Sequence, residues 1–362
     1  MNAWTSHLEL LKQPYCHITN SQFEHQWQNS SQPFYDHDLE MKISYLCSLH
    51  MPSSHSAYLP RLFNSPQERP SFHPIIRLRN SEDISHHLEE WLADSKPLYF
   101  WGFSPQAIAW ANTHKKKIAS YPSLECIQMI HNKRWIEQLR GPLDLNLSII
   151  SWITHKDQLE QAIKLYPMQT WMIKRAMHAA GRGNYLLPKG SIIPRTLIRW
   201  LDWDGGLLLQ PFLERIVDFS SLWYISFEGS ICKLGLTRMI VNNQGHYQGC
   251  ILGEQNSLFG DYLELLEVHF TQAYQILKKS HQEGYFGFIG LDAFIYKTSS
   301  KALSTTVIEI NARQTLAMHL ESIRRTFLPQ TLAIANITQT KQKNSLLPND
   351  LGWNISLEAF KF

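Results

Sequence analysis

The sequence predicts a mixed α/β (α+β) protein with more than one sheet, on three observations. From about Lys96 short apolar runs alternate with helical patterns, and from about Leu147 a second block repeats that alternation around a small-residue loop. From Ser220 onward, longer alternating strands are separated by turn-forming residues. A chain of 362 residues, 44% hydrophobic and 18% charged, has the bulk to bury such cores.

The first sixty residues carry short apolar pieces, such as MKISYLCSL (41–49), that suit strands or loops equally. PLYFWGF (97–103) reads as a buried strand. In SPQAIAWANTH (104–114), Ser104 is the expected N-cap and Pro105 the first helical residue, since Pro has no N–H to leave unpaired. KKKIASYP (115–122) predicts another strand, and SLECIQMIHNKRWIEQLRG (123–141) one helix stopped at Gly141 and Pro142. Strand, helix, strand, helix implies a parallel layer.

The second block reads as strand LSIISWIT, helix KDQLEQAIKLYP, strand TWMIKRAM, loop HAAGRG, strand NYLLP, a helix near SIIPRTLIRWLDW and strand GGLLLQPFL. That order gives a small sheet with helices on one side, sized to act as a lid. In the third block, EGS and NNQG supply turns between three strands of SSLWYISFEGSICKLGLTRMIVNNQGHYQGCIL (220–252). Next comes a helix with Leu266, Phe270, Ala273, Tyr274 and Leu277 on one face. FGFIGLDAFIY and TTVIEINAR follow as strands, TLAMHLESIRRTF as a helix, and LGWNISLEAF as a last strand.

Bulk chemistry narrows the function. A net charge of +3 and a pI near 8.5, with Lys115 to Lys117 as the basic run, give little support for nucleic acid. No segment approaches the roughly 20 apolar residues that span a bilayer, and MNAWTSHLELLKQPYC lacks a basic-then-apolar signal pattern, so a cytoplasmic protein without a membrane partner is expected. The five cysteines show no C-x-x-C pair and read as reduced structural thiols. Zinc is not indicated by them, and the 17 histidines, with no H-E-x-x-H and no paired Cys/His spacing to organise them, read mostly as surface or capping residues.

Two features carry chemistry. In WMIKRAMHAAGRGNYLL (171–187) an apolar strand brings up Lys174 and then breaks into a loop with Gly181 and Gly183; the lysine either faces a phosphate or snorkels ahead of an ordinary turn. In VIEINAR, strand alternation puts Glu309, Asn311 and Arg313 on one face and Ile308, Ile310 and Ala312 on the other. The same rule sets Asp292 with Gly290, Phe294 and Tyr296. If the two strands form a hairpin across KTSSKALS, Asp292 faces Glu309 and Asn311, a hard-oxygen set suited to Mg2+. The alternative is a solvated sheet face. No P-loop, G-x-G-x-x-G strand turn or G-x-S-x-G elbow is present.

Taken in order, from about Leu98 to Arg325, these pieces resemble the ATP-grasp superfamily. The resemblance implies an N-terminal Rossmann-like pre-ATP-grasp domain (1–122), a lid with its connecting helix (123–206), a core (207–337) and a tail (338–362), with ATP held between lid and core. It implies that Lys133 in HNKRW and Lys174 touch phosphates and that Gly181, Arg182 and Gly183 cover them. Gln210, Pro211, Phe212 and Leu213 form the hinge beside adenine, and Asp218 meets the ribose hydroxyls. Asp292, Glu309 and Asn311 hold Mg2+, with Mn2+ as an alternative. Arg313, and Arg238 as a second candidate, hold the transferred phosphoryl or acyl-phosphate oxygens. Three departures stand out: a loop with only two glycines, Gln210 where an acid is common, and Arg175 where a small residue or proline is common.

The activity implied is ATP-dependent ligation of a small-molecule carboxylate to an amine or thiol through an acyl phosphate, with ADP and phosphate released. A homodimer is one option for the assembly. A kinase of the same fold and a non-catalytic ATP-binding module are the alternatives.

Overall fold

A computed structural model describes residues 6–11, 13–20, 23–28, 43, 46–47, 49–52, 54–57, 95–143, 151–178, 183–242, 247–338 and 354–359. The N-terminal part holds β1 (Cys16–Ile18), α1 (Phe23–Gln28), β2 (Ser56–Ala57), β3 (Leu98–Phe100) and α2 (Pro105–Thr113). β1 lies between β2 and β3 and pairs in parallel with both, as the strand-helix alternation requires. The cap of α2 is the expected one: Ser104 Oγ accepts from Ala107 N at 3.1 Å. The strand expected at 115–122 is reduced to a single parallel bridge, Leu98 with Ile118.

The helix expected over 123–141 is two helices, α3 (Leu124–His131) and α4 (Lys133–Leu143). Asn132 between them is extended (φ −69°, ψ 126°), and its Oδ1 accepts from Arg134 N at 2.8 Å, starting α4 afresh. The new helix runs through Gly141 and Pro142 rather than stopping there. The break sets Lys133 at a helix start instead of mid-helix.

The second block contains β4 (Ser151–Ile153), α5 (Lys156–Leu165), β5 (Trp171–Arg175), β6 (Asn184–Leu187), α6 (Arg195–Asp204) and β7 (Leu207–Pro211). Its strands form an antiparallel sheet in the order β4-β7-β5-β6. Leu159, Leu197 and Leu201 of the two helices pack on Trp171, Ile173, Leu207 and Leu209 as a separate core. β7, which follows the expected boundary at 206/207, is hydrogen-bonded between β4 and β5 in this sheet. Gly205 closes α6 in the left-handed conformation (φ 66°), where glycine carries no Cβ penalty.

The third block comprises β8 (Arg215–Ile225), β9 (Ile231–Val241), β10 (Tyr247–Leu252), α7 (Gln255–Phe259), α8 (Leu263–Gln282), β11 (Gly287–Lys297), β12 (Leu303–Asn311), α9 (Leu316–Phe327), β13 (Ala333–Thr338) and β14 (Asn354–Ala359). The strands make a seven-stranded antiparallel sheet, β12-β11-β8-β9-β10-β13-β14. The expected C-terminal tail thus ends as an edge strand of the core sheet. On α8, Leu266, Ala273 and Leu277 are buried as expected, but Tyr274 is 55% exposed. His269, bonded to Ser221 Oγ at 2.9 Å, turns inward instead, a polar contact that an apolar-face reading does not register. One large core joins this sheet to the N-terminal part, running from Leu8, Ile18, Phe23 and Phe100 to Leu222, Ile289 and Leu291. Among the described residues no helix is long and apolar enough to cross a membrane.

Candidate active site

β11 and β12 form the expected hairpin. Asp292 pairs in register with Glu309 and Gly290 with Asn311, so the three polar side chains share a face. Asn311 Nδ2 donates to Asp292 Oδ2 at 3.1 Å, and Ser220, across from Asp292 on β8, bonds the same carboxyl. A bulge after Asp292 interrupts the pairing, since Ala293 opposes Val307 and Ile308 has no direct partner. Ile308 consequently packs with Phe294, Tyr296 and Leu213 instead of joining Ile310 and Ala312 in the main core. Strict alternation fails at that one residue.

Burial pushes the Asp292 carboxyl up to about 6 and the adjacent Glu309 adds to it, against the opposing pull of Ser220, Asn311 and Arg313. Glu309 goes the other way. Burial alone would raise it, but Lys133 and Lys174 outweigh that and hold it below its ordinary value. Lys133 Nζ lies 2.9 Å from Glu309 Oε1 and donates to His178 O at 2.5 Å. Lys174 projects from β5 with 2% exposure, and burial pushes its ammonium down to about 8, Glu309 resisting and Arg215 and Lys133 reinforcing the shift. The four-stranded and seven-stranded sheets thus meet where two buried ammonium groups face two half-buried carboxylates.

Arg175 points away from that patch. Its Nε and Nη2 donate to Asp204 Oδ2 and Oδ1 of α6 at 2.5 and 2.6 Å, which accounts for a large cation beside Lys174: successive strand residues face opposite sides. Gly183 O accepts from Arg175 N at 2.9 Å where the loop returns to the sheet. A Cβ on Gly183 would stand 2.5 Å from His178 Cβ, so Gly183→Ala is expected to displace the loop and cost about 1–3 kcal/mol of stability, read as a lower thermal unfolding midpoint. An unchanged midpoint would mean the loop absorbs the methyl group. Gly181 and Arg182 lie outside the described residues.

At the end of β7, Gln210 is buried and its Nε2 donates to Glu137 Oε1 at 3.0 Å. The same carboxylate receives Arg140 Nε and Nη2 at 2.5 and 2.8 Å, so the acid beside Gln210 arrives from α4. Pro211 ends β7, Phe212 N donates to Thr170 O at 2.8 Å, and Leu213 packs on Phe294 and Tyr296. Asp218 shares the site face of β8 with Ser220 and is paired with Arg215 at 2.9 Å. Arg238 is not brought in. Thr237 pairs with Ser220 on the site face, so its neighbour Arg238 turns to the other side, where Nη1 donates to Leu258 O at 3.3 Å.

Arg313 is held by residues the sequence reading did not single out. Its Nη2 lies 2.5 Å from Glu24 Oε1 and its Nε donates to the same oxygen at 2.7 Å, while Nη2 also reaches Asn311 Oδ1 at 3.2 Å. His131 Nε2 lies 3.4 Å from Glu24, and its Nδ1 accepts from Ala312 N at 3.2 Å. Burial opposes the Glu24 charge, yet Arg313 and His131 keep its carboxyl far below the usual range.

No protein-family model and no curated protein sequence matches the chain. Solved structures do. Biotin carboxylase from Campylobacter jejuni in a βγ-ATP complex aligns with a TM-score of 0.53 at 12% identity, covering 94% of this chain and 73% of that one. N5-carboxyaminoimidazole synthetase from Staphylococcus aureus with ADP gives 0.50 at 13%, covering 92% and 84%. The biotin carboxylase domain of 2-oxoglutarate carboxylase from Hydrogenobacter thermophilus, with MgADP and bicarbonate, gives 0.50 at 12%, covering 91% and 70%. The chain has the ATP-grasp fold.

α3 and α4 pack beside β12 of the seven-stranded sheet. Of the residues missed in sequence, Glu137 had a legible signal: it lies four positions after Lys133, one helical turn along the same face. Glu24, His131 and Ser220 had none. Their partners are 72 or more positions away in the chain.

Proposed function

We propose that the chain is an ATP-dependent ligase that joins a small-molecule carboxylate to an amine, or to a thiol, through an acyl phosphate. The observation that supports this reading is the meeting of Asp292, Glu309 and Asn311 with the buried Lys133 and Lys174 between the two sheets. The donor set fits Mg2+. It consists of hard oxygens, and the like charge of Glu309 helps raise Asp292 to about 6, a repulsion a divalent cation relieves. Bound there, Mg2+ or Mn2+ supplies charge neutralisation at the phosphates.

The chain's own groups then have distinct tasks. Lys133 and Lys174 exchange Glu309 for phosphate oxygens, and the backbone of the loop ending at Gly183 approaches them closely. The strand end Gln210–Leu213 flanks adenine, and Asp218 leaves Arg215 for the ribose hydroxyls. Arg313, aligned by Glu24, steadies the acyl-phosphate oxygens. A carboxylate oxygen attacks the γ-phosphorus as the bond to the β-phosphate oxygen breaks, releasing ADP. The amine then attacks the acyl carbon and phosphate leaves, with the closed lid keeping water from the intermediate. A cytoplasmic location and small-molecule partners belong to the same reading.

The test is a mass-spectrometric screen of paired acids and amines with ATP and Mg2+. ADP, phosphate and a dehydrated adduct in equal amounts are expected. A phosphorylated product without free phosphate would make the chain a kinase, and ATP binding without turnover of any pair would make it a binding module.

ATP affinity should also decline as pH rises through about 8, where Lys174 loses its charge in the free protein. Phosphate raises the bound ammonium's pKa, so above that value binding takes up a proton and Kd grows by up to about tenfold per pH unit. Lys174→Ala should weaken ATP roughly 10- to 150-fold at pH 7 and flatten that slope. An unchanged titration would leave Lys174 with packing alone.

A further inference from the structure

The sequence shows no organising pattern among the histidines, but the fold gathers three of them, remote from one another in the chain. His7 lies in a 3-10 turn, His319 on α9, and His50 just after helical positions that include Cys47 and Leu49. All are buried, and one ring nitrogen from each lies within 4.8 Å of the others. His50 Nε2 is 2.9 Å from His319 Nδ1, and Cys47 Sγ is 3.3 Å from that same nitrogen and 3.6 Å from Nε2.

We propose that Cys47, His50, His319 and His7 form a closed tetrahedral site for a Zn2+-class ion that clamps the N-terminal part onto α9. The spacing Cys47-x-x-His50 puts thiol and imidazole one helical turn apart, and the set of one soft and three borderline donors suits zinc. Tetrahedral zinc bonds place two nitrogens about 3.3 Å apart and a nitrogen and sulfur about 3.5 Å apart. Those edges are within half an ångström of the His50–His319 and Cys47–His319 separations.

The surroundings favour ligation in two further ways. Outer partners orient the rings, with Ser6 Oγ 2.8 Å from His50 Nδ1 and Ser322 Oγ 2.9 Å from His7 Nδ1. An apolar wall excludes water, with Trp101 stacked on His319 at 5.0 Å and Phe288 edge-on to His7 at 5.0 Å. His7 completes the set by exchanging one of its present bonds, to Ser322 or to Gln314, for the ion. Four protein donors leave no open position, so the role is structural. The site is separate from the proposed Mg2+ ligands and stands or falls without them.

The experiment uses the full chain without a histidine tag. Metal analysis after gel filtration is expected to find close to one zinc per chain. The metal-free protein, refilled with Co2+, should show tetrahedral d–d bands and a thiolate-to-cobalt charge-transfer band. Cys47→Ser should lose the charge-transfer band and bind Co2+ at least about tenfold more weakly, while Asp292→Asn keeps the full spectrum. Folded wild-type protein, judged by circular dichroism, that takes up no Co2+ with thiolate character would overturn the proposal even if the Cys47 variant failed to fold. So would a charge-transfer band that survives Cys47→Ser.

Discussion

Glu309→Gln is expected to lower Mg2+-dependent turnover at least about 100-fold while leaving the far-ultraviolet circular dichroism of the protein unchanged. Glu309 stands at the junction of the proposed cofactor and nucleotide contacts: in register with Asp292 on one side and 2.9 Å from Lys133 on the other. The amide keeps the shape and one acceptor oxygen but not the charge. A second consequence separates this prediction from simple damage. Glu309 is one of the two influences raising Asp292, so its removal should bring the Asp292 carboxyl down from about 6 toward its ordinary value, visible by carboxyl-labelled NMR. Turnover at the wild-type rate with any acid and amine pair would remove Glu309 from the proposed machinery.

Glu24→Gln is expected to destabilise the chain by about 3–5 kcal/mol at neutral pH, because it leaves the Arg313 guanidinium buried opposite a neutral amide. The Glu24 side chain is 4% exposed and that of Arg313 10%, so solvent does little to compensate. The pH dependence follows from the direction of the shift. A carboxyl held lower in the folded than in the unfolded chain contributes in full above its unfolded value of 4.5, and that contribution is lost as pH falls toward the depressed native value. The difference between wild type and variant should therefore be flat from neutral pH to about 5 and shrink in stronger acid. Denaturant unfolding at several pH values measures it. Equal stability at pH 7 would show that the pair makes no net contribution.

Much of the site could be read in one dimension because its ligands repeat at the period of a strand. Asp292, Glu309 and Asn311 were legible since alternation fixes faces and a short connection fixes a hairpin. Lys174 was legible because an ammonium in an apolar strand is costly without a partner. The one failure of alternation, Ile308, comes from a bulge that depends on how two strands twist against each other rather than on either sequence. Arg238 failed for a related reason. Its local pattern was compatible with the site, but the register of β9 on β8 gives that face to Thr237.

The sequence by itself determined the order of most elements and the residues that periodicity sets on one strand face, because these depend on contacts between near neighbours. Only the tertiary structure decided that β7 joins the four-stranded sheet, that Glu24 meets Arg313, and that His7, Cys47, His50 and His319 converge. Those partners are brought together by burial of a common core across hundreds of residues, and chain separation carries no local mark of such a meeting.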